Sequence, residues 1–578
     1  MRAYDRDDLL FQLFEVARLE ELLDGTEIDR EAVMGILDTA DQISTDHFLP
    51  LGKLLDENEP RYVEGRAVIP DQAIAAVRAQ VAAGFIGSGF APESGGMGLP
   101  ETVHQAAAFV FSASNISLAG YGLLTVGAGR LIQSFGSEDQ KKRYLEPMAE
   151  GRYFGTMCLS EPQAGSSLSD ITTRAHPMED GRYAISGHKM WISGGEQEIS
   201  ENIMHMVLAR IPGAPAGVKG ISLFIVPKLR ADGSGNDVTL AGLNHKMGYR
   251  GTTNCALNFG DQGACIGELL GEPNKGLSYM FQMMNEARIG VGMGATALGQ
   301  AGYQASLSYA RERPQGRSPT GKDPLSPQLA IIEHADVRRL LVAQKAAVEA
   351  SLALSIFCTG LVDRERQGDT EAGILLEMLT PITKSWPSEF CLEANKHAIQ
   401  VLGGAGYTRD YHVERYYRDN RLNHIHEGTH GIQGMDILGR KVMMNGGASF
   451  KALLAAMRAD IAAAEGSEFA APLAEAVDRI ENVTMHLSAQ IMASPERGLA
   501  NATLFLDCMG HVVMGWMWLR ISQAARRVAA RDGDSPFLQG KGQAARYFYA
   551  RELVRTKGWA ETLMANDQSA FDMAETWF

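Results

Sequence analysis

The chain predicts an α+β fold that is mostly α. Helices come first, then a small β domain, then a helical bundle and an extra helical block. Three observations predict it. Helical apolar periodicity runs from residue 1 to about 154 and returns after about 276. Between these limits short β-prone runs recur, separated by turn signals. The 45 % hydrophobic and 21 % charged shares suit a globular protein with large cores and exclude disordered, collagen-like and disulfide-scaffold classes.

Residues 1–154 form the expected N-terminal helical domain. Leu9, Leu10, Phe11, Leu13, Phe14, Val16, Ala17 and Leu19 make a broad helical stripe. Residues 72–83 and 103–113 are Ala-rich and periodic, and 84–100, with six glycines and two prolines, reads as loop. Ser137 reads as a helix cap followed by acids that suit a first turn.

Residues 155–275 form the expected β domain, a barrel or a sandwich. Its runs lie near 153–159, 183–192, 204–211, 221–226 and 256–259, with Asp180-Gly181 and Ser186-Gly187 as turns. Residues 276–445 return to helix. After the linker Asn445-Gly446-Gly447-Ala448-Ser449, residues 450–578 give helices near 452–464, 473–492, 501–530 and 541–563. Met509, Met514 and Met517 read as core filling.

The net charge is 54 − 69 = −15, which argues against nucleic acid or an anionic membrane as the main partner. No apolar run reaches the roughly 18 residues of a membrane helix, so no span is expected. The start is acidic where a signal peptide would be basic, which predicts a cytoplasmic protein. The six cysteines contain no Cys-x-x-Cys pair and read as buried thiols.

Three short patterns are set aside. His426-Glu427-Gly428-Thr429-His430 matches H-E-x-x-H, yet Gly428 and Thr429 weaken a helix interior and no third zinc ligand follows at the usual spacing. Gly290-x-Gly292-x-x-Ala295 imitates a dinucleotide fingerprint but lacks a preceding strand, so helix packing is the better reading. Gly316 to Lys322 imitates a phosphate loop, but Pro319 removes an amide and Asp323 replaces the hydroxyl that would meet magnesium.

A fourth group is an ordered set. Ser160-Glu161-Pro162-Gln163-Ala164-Gly165-Ser166 opens the β region, and Lys189-Met190-Trp191-Ile192-Ser193-Gly194 follows. Arg311-Glu312-Arg313-Pro314-Gln315-Gly316-Arg317 ends a helix. Gln400 to Tyr407, with Gly403, Gly404 and Gly406, precedes Arg418-Asp419 and then Ile425 to Gln433. Over roughly residues 75 to 442 this set resembles the acyl-CoA dehydrogenase family of flavoproteins. The long N-terminus, the insert at 318–330 and the C-terminal block resemble a large-subunit branch that includes bacterial 3-methylmercaptopropionyl-CoA dehydrogenases.

The resemblance implies FAD, an acyl-CoA substrate and formation of a trans-2-enoyl-CoA in fatty-acid metabolism. It puts the catalytic base at Glu427, a carboxylate whose proton affinity a dry pocket would raise into a useful range. Ala287, just before Arg288, stands where some members carry the base instead and cannot serve; Glu286 lies about 100° round the helix. Flavin contacts carry over to Met157, Leu159, Ser160, Gly165, Ser166, Trp191, Ile192, Ser193 and Thr429. Gln315 carries over as a further cofactor contact, and Arg313, Gln400, Gly403 and Gly404 as contacts to the FAD of a neighbouring subunit, which implies at least a homodimer. Ser166, Asn285, Arg288 and Gly428 border the acyl-CoA, and Arg288 is the candidate for positioning the base loop. The main-chain N–H of Glu427 would polarise the thioester oxygen, together with a ribityl hydroxyl.

The sequence departs from the family pattern at two points. His426 replaces a common Tyr and could bring charge beside Glu427. Gly431 stands where some members use Gln. An electron-transferring flavoprotein is the expected acceptor. The alternatives are an acyl-CoA oxidase, a nucleic-acid-associated flavoprotein relative that the negative charge disfavours, and a zinc peptidase. The acyl group stays open, from 3-methylmercaptopropionyl to longer chains.

Overall fold

The structure, a computed structural model, describes residues 2–263, 265–321 and 323–578, and in residues 282–284 the main chain only. Lys322 of the phosphate-loop imitation lies outside the described residues. The chain packs into two compact units: residues 30–287, and residues 3–29 with 288–578.

In the unit of residues 30–287, a hairpin of β1 (Arg61–Val63) and β2 (Arg66–Val68) precedes the helices Asp71–Ala82 and Glu101–Phe135. The second helix runs far past residue 113 and breaks its helical backbone only at Asn115. Its small polar residues 112–125 have modest helix propensity, and burial of nearly every one overrides that. Ser137 caps as expected and forms a reciprocal capping box with Gln140.

The β region holds β3 (Tyr153–Cys158), β4 (Arg174–Pro177), β5 (Tyr183–Ser193), β6 (Asn202–Arg210), β7 (Ile221–Pro227), β8 (Val238–Leu243), β9 (Asn254–Phe259) and β10 (Ile266–Leu269). Pairings β5–β10, β10–β7, β7–β6, β6–β4 and β4–β5 close a ring, so the barrel alternative holds. β3 adds in parallel to β6, and β9 and β8 extend from β5. The central strands β6 and β7 are buried on both faces and read as continuous apolar runs.

The other unit is helical. Helices Ala335–Arg366 and Thr370–Leu402 pack beside the C-terminal part of Gly276–Glu312. A methyl at Gly292 would lie 1.8 Å from the Thr383 carbonyl oxygen, so this glycine lets two helices touch, as the packing reading expected. Helices Ala448–Ala463, Ala470–Ala493, Ala502–Asp532, Pro536–Tyr547 and Arg555–Met564 form the last block. The expected helix at 541–563 widens to a π turn at Phe548–Glu552 and is interrupted at 553–554. Met509, Met514 and Met517 are fully buried, as are all six free cysteines. The first helix, Arg6–Phe11, belongs here through Asp8, which meets Lys541 in the interior.

The premise that no stretch is long and apolar enough for a membrane span is corrected. Helices Glu101–Phe135, Ala335–Arg366 and Ala502–Asp532 are each long and apolar enough to cross a bilayer. Small residues interrupt their apolar runs in the sequence without making the average polar. Within the protein, 78 %, 78 % and 83 % of the apolar windows are buried, as expected of helices apolar on all sides.

Candidate active site

Residues 424–429 form a non-helical turn between the helices Val413–Asn423 and His430–Asp436. His430 N–H donates to the His424 carbonyl at 3.2 Å and closes it. Thr429 caps the second helix, its Oγ1 accepting from Ile432 N–H at 3.4 Å. Glu427 has φ +54° and Gly428 φ +88°. A left-handed glutamate is strained by about 1–2 kcal/mol and persists only where its surroundings hold it.

Two buried side chains do the holding. Gln433 Nε2 donates to the Glu427 carbonyl at 3.0 Å, and Lys384 Nζ to the Gly428 carbonyl at 2.7 Å. A methyl at position 428 would come 2.5 Å from Gln433 Nε2 and at φ +88°, so any side chain there would displace Gln433 and strain the turn.

Glu427 is half-buried, and no described residue donates a hydrogen bond to its carboxylate. Burial raises its proton affinity above the ordinary carboxylate range, and the charges of Lys384 and then Arg288 pull part of the way back. The Glu427 N–H also has no hydrogen-bond partner among the described residues. Burial pushes Lys384 down to about 7. Arg288 is buried, with Nη1 2.8 Å from Asp436 Oδ2.

His426 brings no charge near neutrality. Burial, then the Lys384 charge, push it down to about 3, and its Nε2 contacts Asn423 Oδ1 at 3.0 Å. His430 turns to Asp507 Oδ1 at 3.1 Å instead. The helical frame that a zinc protease needs is absent at 424–429, and no metal-holding cluster occurs among the described residues. Glu286 is taken as well: Arg130 binds both it and Glu101.

The flavin-contact candidates of the β region lie in the unit of residues 30–287. The β5–β9 register shifts between Lys189 and Ile192. This bulge puts Trp191 at φ +65°, the residue being 61 % exposed. Ile192 turns into the core, while Met157 and Leu159 pack against another core cluster. These three would therefore offer main chain or an edge to a ligand, more than a free side chain. Ser160 is half-buried and its carbonyl accepts from Met190 N–H at 3.0 Å. Ser193 Oγ accepts from Asn254 Nδ2 at 3.1 Å. Gly165 and Ser166 are exposed, and a methyl at Gly165 would meet nothing within 4 Å. Asn285 is half-buried on its helix.

The remaining candidates lie in the helical unit. Arg313 is exposed, and its guanidinium has no partner among the described residues. Gln315 is exposed, its main chain tied to Leu329 and His334. Gln400 is exposed near the end of Thr370–Leu402, where Gly403 turns with φ +60° and ψ −134°. Gly404 and Gly431 are exposed.

Sequence reasoning missed Lys384 and Gln433. A signal for Lys384 existed: it is the one charged residue between Glu377 and Glu389, in a stretch whose two prolines, Pro381 and Pro387, lie inside the helix.

Four family models match the chain in order. They are described as acyl-CoA dehydrogenase N-terminal domain (residues 38–152), middle domain (156–262) and C-terminal domain (274–443), and acetyl-CoA dehydrogenase C-terminal like (453–574). The 3-methylmercaptopropionyl-CoA dehydrogenase of Ruegeria pomeroyi is 36 % identical over 564 residues, 95 % of each chain. A broad-specificity linear acyl-CoA dehydrogenase of Mycobacterium tuberculosis is 31 % identical over 98 % of each chain. The solved acyl-CoA dehydrogenase of Bacillus anthracis, complexed with FAD, superposes with TM-score 0.75 at 22 % identity, over 94 % of this chain and 90 % of that one.

Proposed function

This chain belongs to the acyl-CoA dehydrogenase family of FAD-dependent oxidoreductases, and from that premise we propose that it converts an acyl-CoA thioester to the trans-2-enoyl-CoA with Glu427 as base. The observation that carries this reading is Glu427 itself. It is half-buried and strained, its carboxylate accepts no hydrogen bond from a described residue, and its proton affinity is raised. A carboxylate kept for structure would be paired; this one is kept for a proton.

The residues suit FAD. An exposed indole on a bulge offers a flat face, and the unpartnered guanidinium of Arg313 suits a pyrophosphate. Ser160, Ser166, Trp191 and Ser193 would hold one FAD, and Arg313, Gln400, Gly403 and Gly404 that of a second copy, so the active form is at least a homodimer. When bound, FAD supplies the acceptor for the hydride leaving the substrate Cβ.

The chain's own work is to loosen the Cα–H bond. Glu427 takes the Cα proton. Its main-chain N–H meets the thioester oxygen and stabilises the negative charge that develops there. Arg288, paired with Asp436, supports the loop. An electron-transferring flavoprotein then reoxidises the enzyme in the cytoplasm. A 3-methylmercaptopropionyl thioester is the first substrate to try, since a relative of that name matches over nearly the full length.

The test is anaerobic bleaching of the purified yellow protein by a panel of acyl-CoAs. Wild type should bleach, and Glu427→Gln should stay yellow. Bleaching of Glu427→Gln at the wild-type rate would remove Glu427 from its role. Reoxidation by air as fast as by the electron carrier would make the protein an oxidase.

A further inference from the structure

Lys384 is fully buried in the helix Thr370–Leu402, and no carboxylate among the described residues lies within ion-pair distance of it. Buried lysines are rare and are normally paired. Its one hydrogen bond among the described residues goes to the Gly428 carbonyl at 2.7 Å. The adjacent carbonyl, that of Glu427, is held by the fully buried Gln433 at 3.0 Å. Two consecutive carbonyls of a left-handed turn are thus pinned from two helices. A lysine serving only the fold would sit against an acid.

We propose that Lys384 is a positioning residue for the reaction: it fixes the turn that presents Glu427, and when protonated it favours the ionised form of the Glu427 carboxylate. This rests on the reading of Glu427 as the base. The other charges around the turn are committed elsewhere. Arg288 faces Glu427 from the helix Gly276–Glu312, but its Nη1 is on Asp436, which also takes Arg440 Nε at 2.6 Å. Lys441, against Arg288, is paired with Glu377. His426, next to Glu427, is neutral in the working range. Lys384 therefore supplies the positive field that no acid has already taken.

Two roles are joined in one side chain, and two substitutions separate them. Lys384→Gln keeps a donor for the Gly428 carbonyl and removes the charge. Lys384→Met removes both. The pH dependence of anaerobic flavin reduction is measured for each, with FAD content and circular dichroism as folding controls and Glu427→Gln alongside.

Loss of a neighbouring cation raises the proton affinity of a carboxylate, so the acid limb of the rate profile should move to higher pH by about one unit in both variants. On the alkaline plateau Lys384→Gln should approach wild type. Lys384→Met should stay slower by roughly tenfold to a hundredfold, the effect of a displaced base. If Lys384→Met fails to fold, Lys384→Gln alone decides through its acid limb. An acid limb superposing on wild type overturns the proposal, provided Glu427→Gln is inactive. If Glu427→Gln reduces its flavin normally, the reading of the base has failed first.

Discussion

Lys189 Nζ lies 2.9 Å from Glu161 Oε1, with both side chains buried in the barrel. The contact ties the turn that begins at Ser160 to the bulge that carries Trp191. Glu161 also accepts from the main-chain N–H and the hydroxyl of both Thr172 and Thr173, at 2.6–3.1 Å. Two sequence motifs that seemed to serve a ligand are thus first joined to each other.

Acid should break that joint. Burial alone would raise the Glu161 carboxyl, but the Lys189 charge and the threonine donors outweigh it and hold it down at about 2. A carboxyl lowered on folding stabilises above its unfolded value, here 4.5, and that stability fades as pH falls toward about 2. Glu161→Gln strands a buried ammonium and should cost about 3–5 kcal/mol in denaturant unfolding at neutral pH. Its deficit relative to wild type should shrink below pH 4.5.

Trp191→Gly should separate fold from cofactor. Relief of a left-handed, exposed side chain favours the fold by up to ~1 kcal/mol. The same change removes the flat indole face. The expected outcome is an unchanged or higher melting temperature with weaker retention of FAD on gel filtration. Equal FAD retention would assign Trp191 no contact.

Gly428→Ala and Gly431→Ala should behave oppositely. The first puts a methyl 2.5 Å from Gln433 at φ +88° and should cost about 1–3 kcal/mol and most of the flavin reduction. The second meets nothing within 4 Å on a helix and should be neutral or stabilising by up to ~1 kcal/mol. Thermal melts and anaerobic bleaching measure both.

Flavin reduction in wild type should rise with pH through an apparent pKa above 4.5, the side to which burial moves Glu427. Prolonged dialysis against a chelator should leave the rate unchanged, since His426 and His430 are engaged by Asn423 and Asp507. A chelator-sensitive rate would revive the zinc reading.

Lys541→Met should unfold the protein at markedly lower denaturant. Lys541 meets Asp8 and, at 3.1 Å, Glu349 Oε2 in the interior. Its loss leaves two buried acids facing Lys345 alone, at a cost of about 3–5 kcal/mol.

The order of helices, strands and helices was legible because the apolar period changes from 3.6 to 2 and back. Short strands were not. Arg174–Pro177 and Ile266–Leu269 owe their form to partners in the closed ring, and nothing local announces them. The interruption at 553–554 was hidden because no Gly or Pro marks it. At the candidate site Glu427 was found through its neighbours in a motif. Lys384 was not, because a lysine in a long helix ordinarily reads as a solvated charge. Gln433 was passed over for the same reason: its value lies in a carbonyl it reaches, which sequence does not display. His426 looked like a source of charge, and only its burial shows otherwise.

The contact between Asp8 and Lys541 spans 533 positions of chain. A ribosome adding 5–20 residues each second makes the aspartate roughly half a minute to two minutes before the lysine. The segment 30–287 is contiguous and can close while synthesis continues. The opening helix cannot: it must stay undocked until the last stretch emerges, so the first piece translated is among the last to be seated.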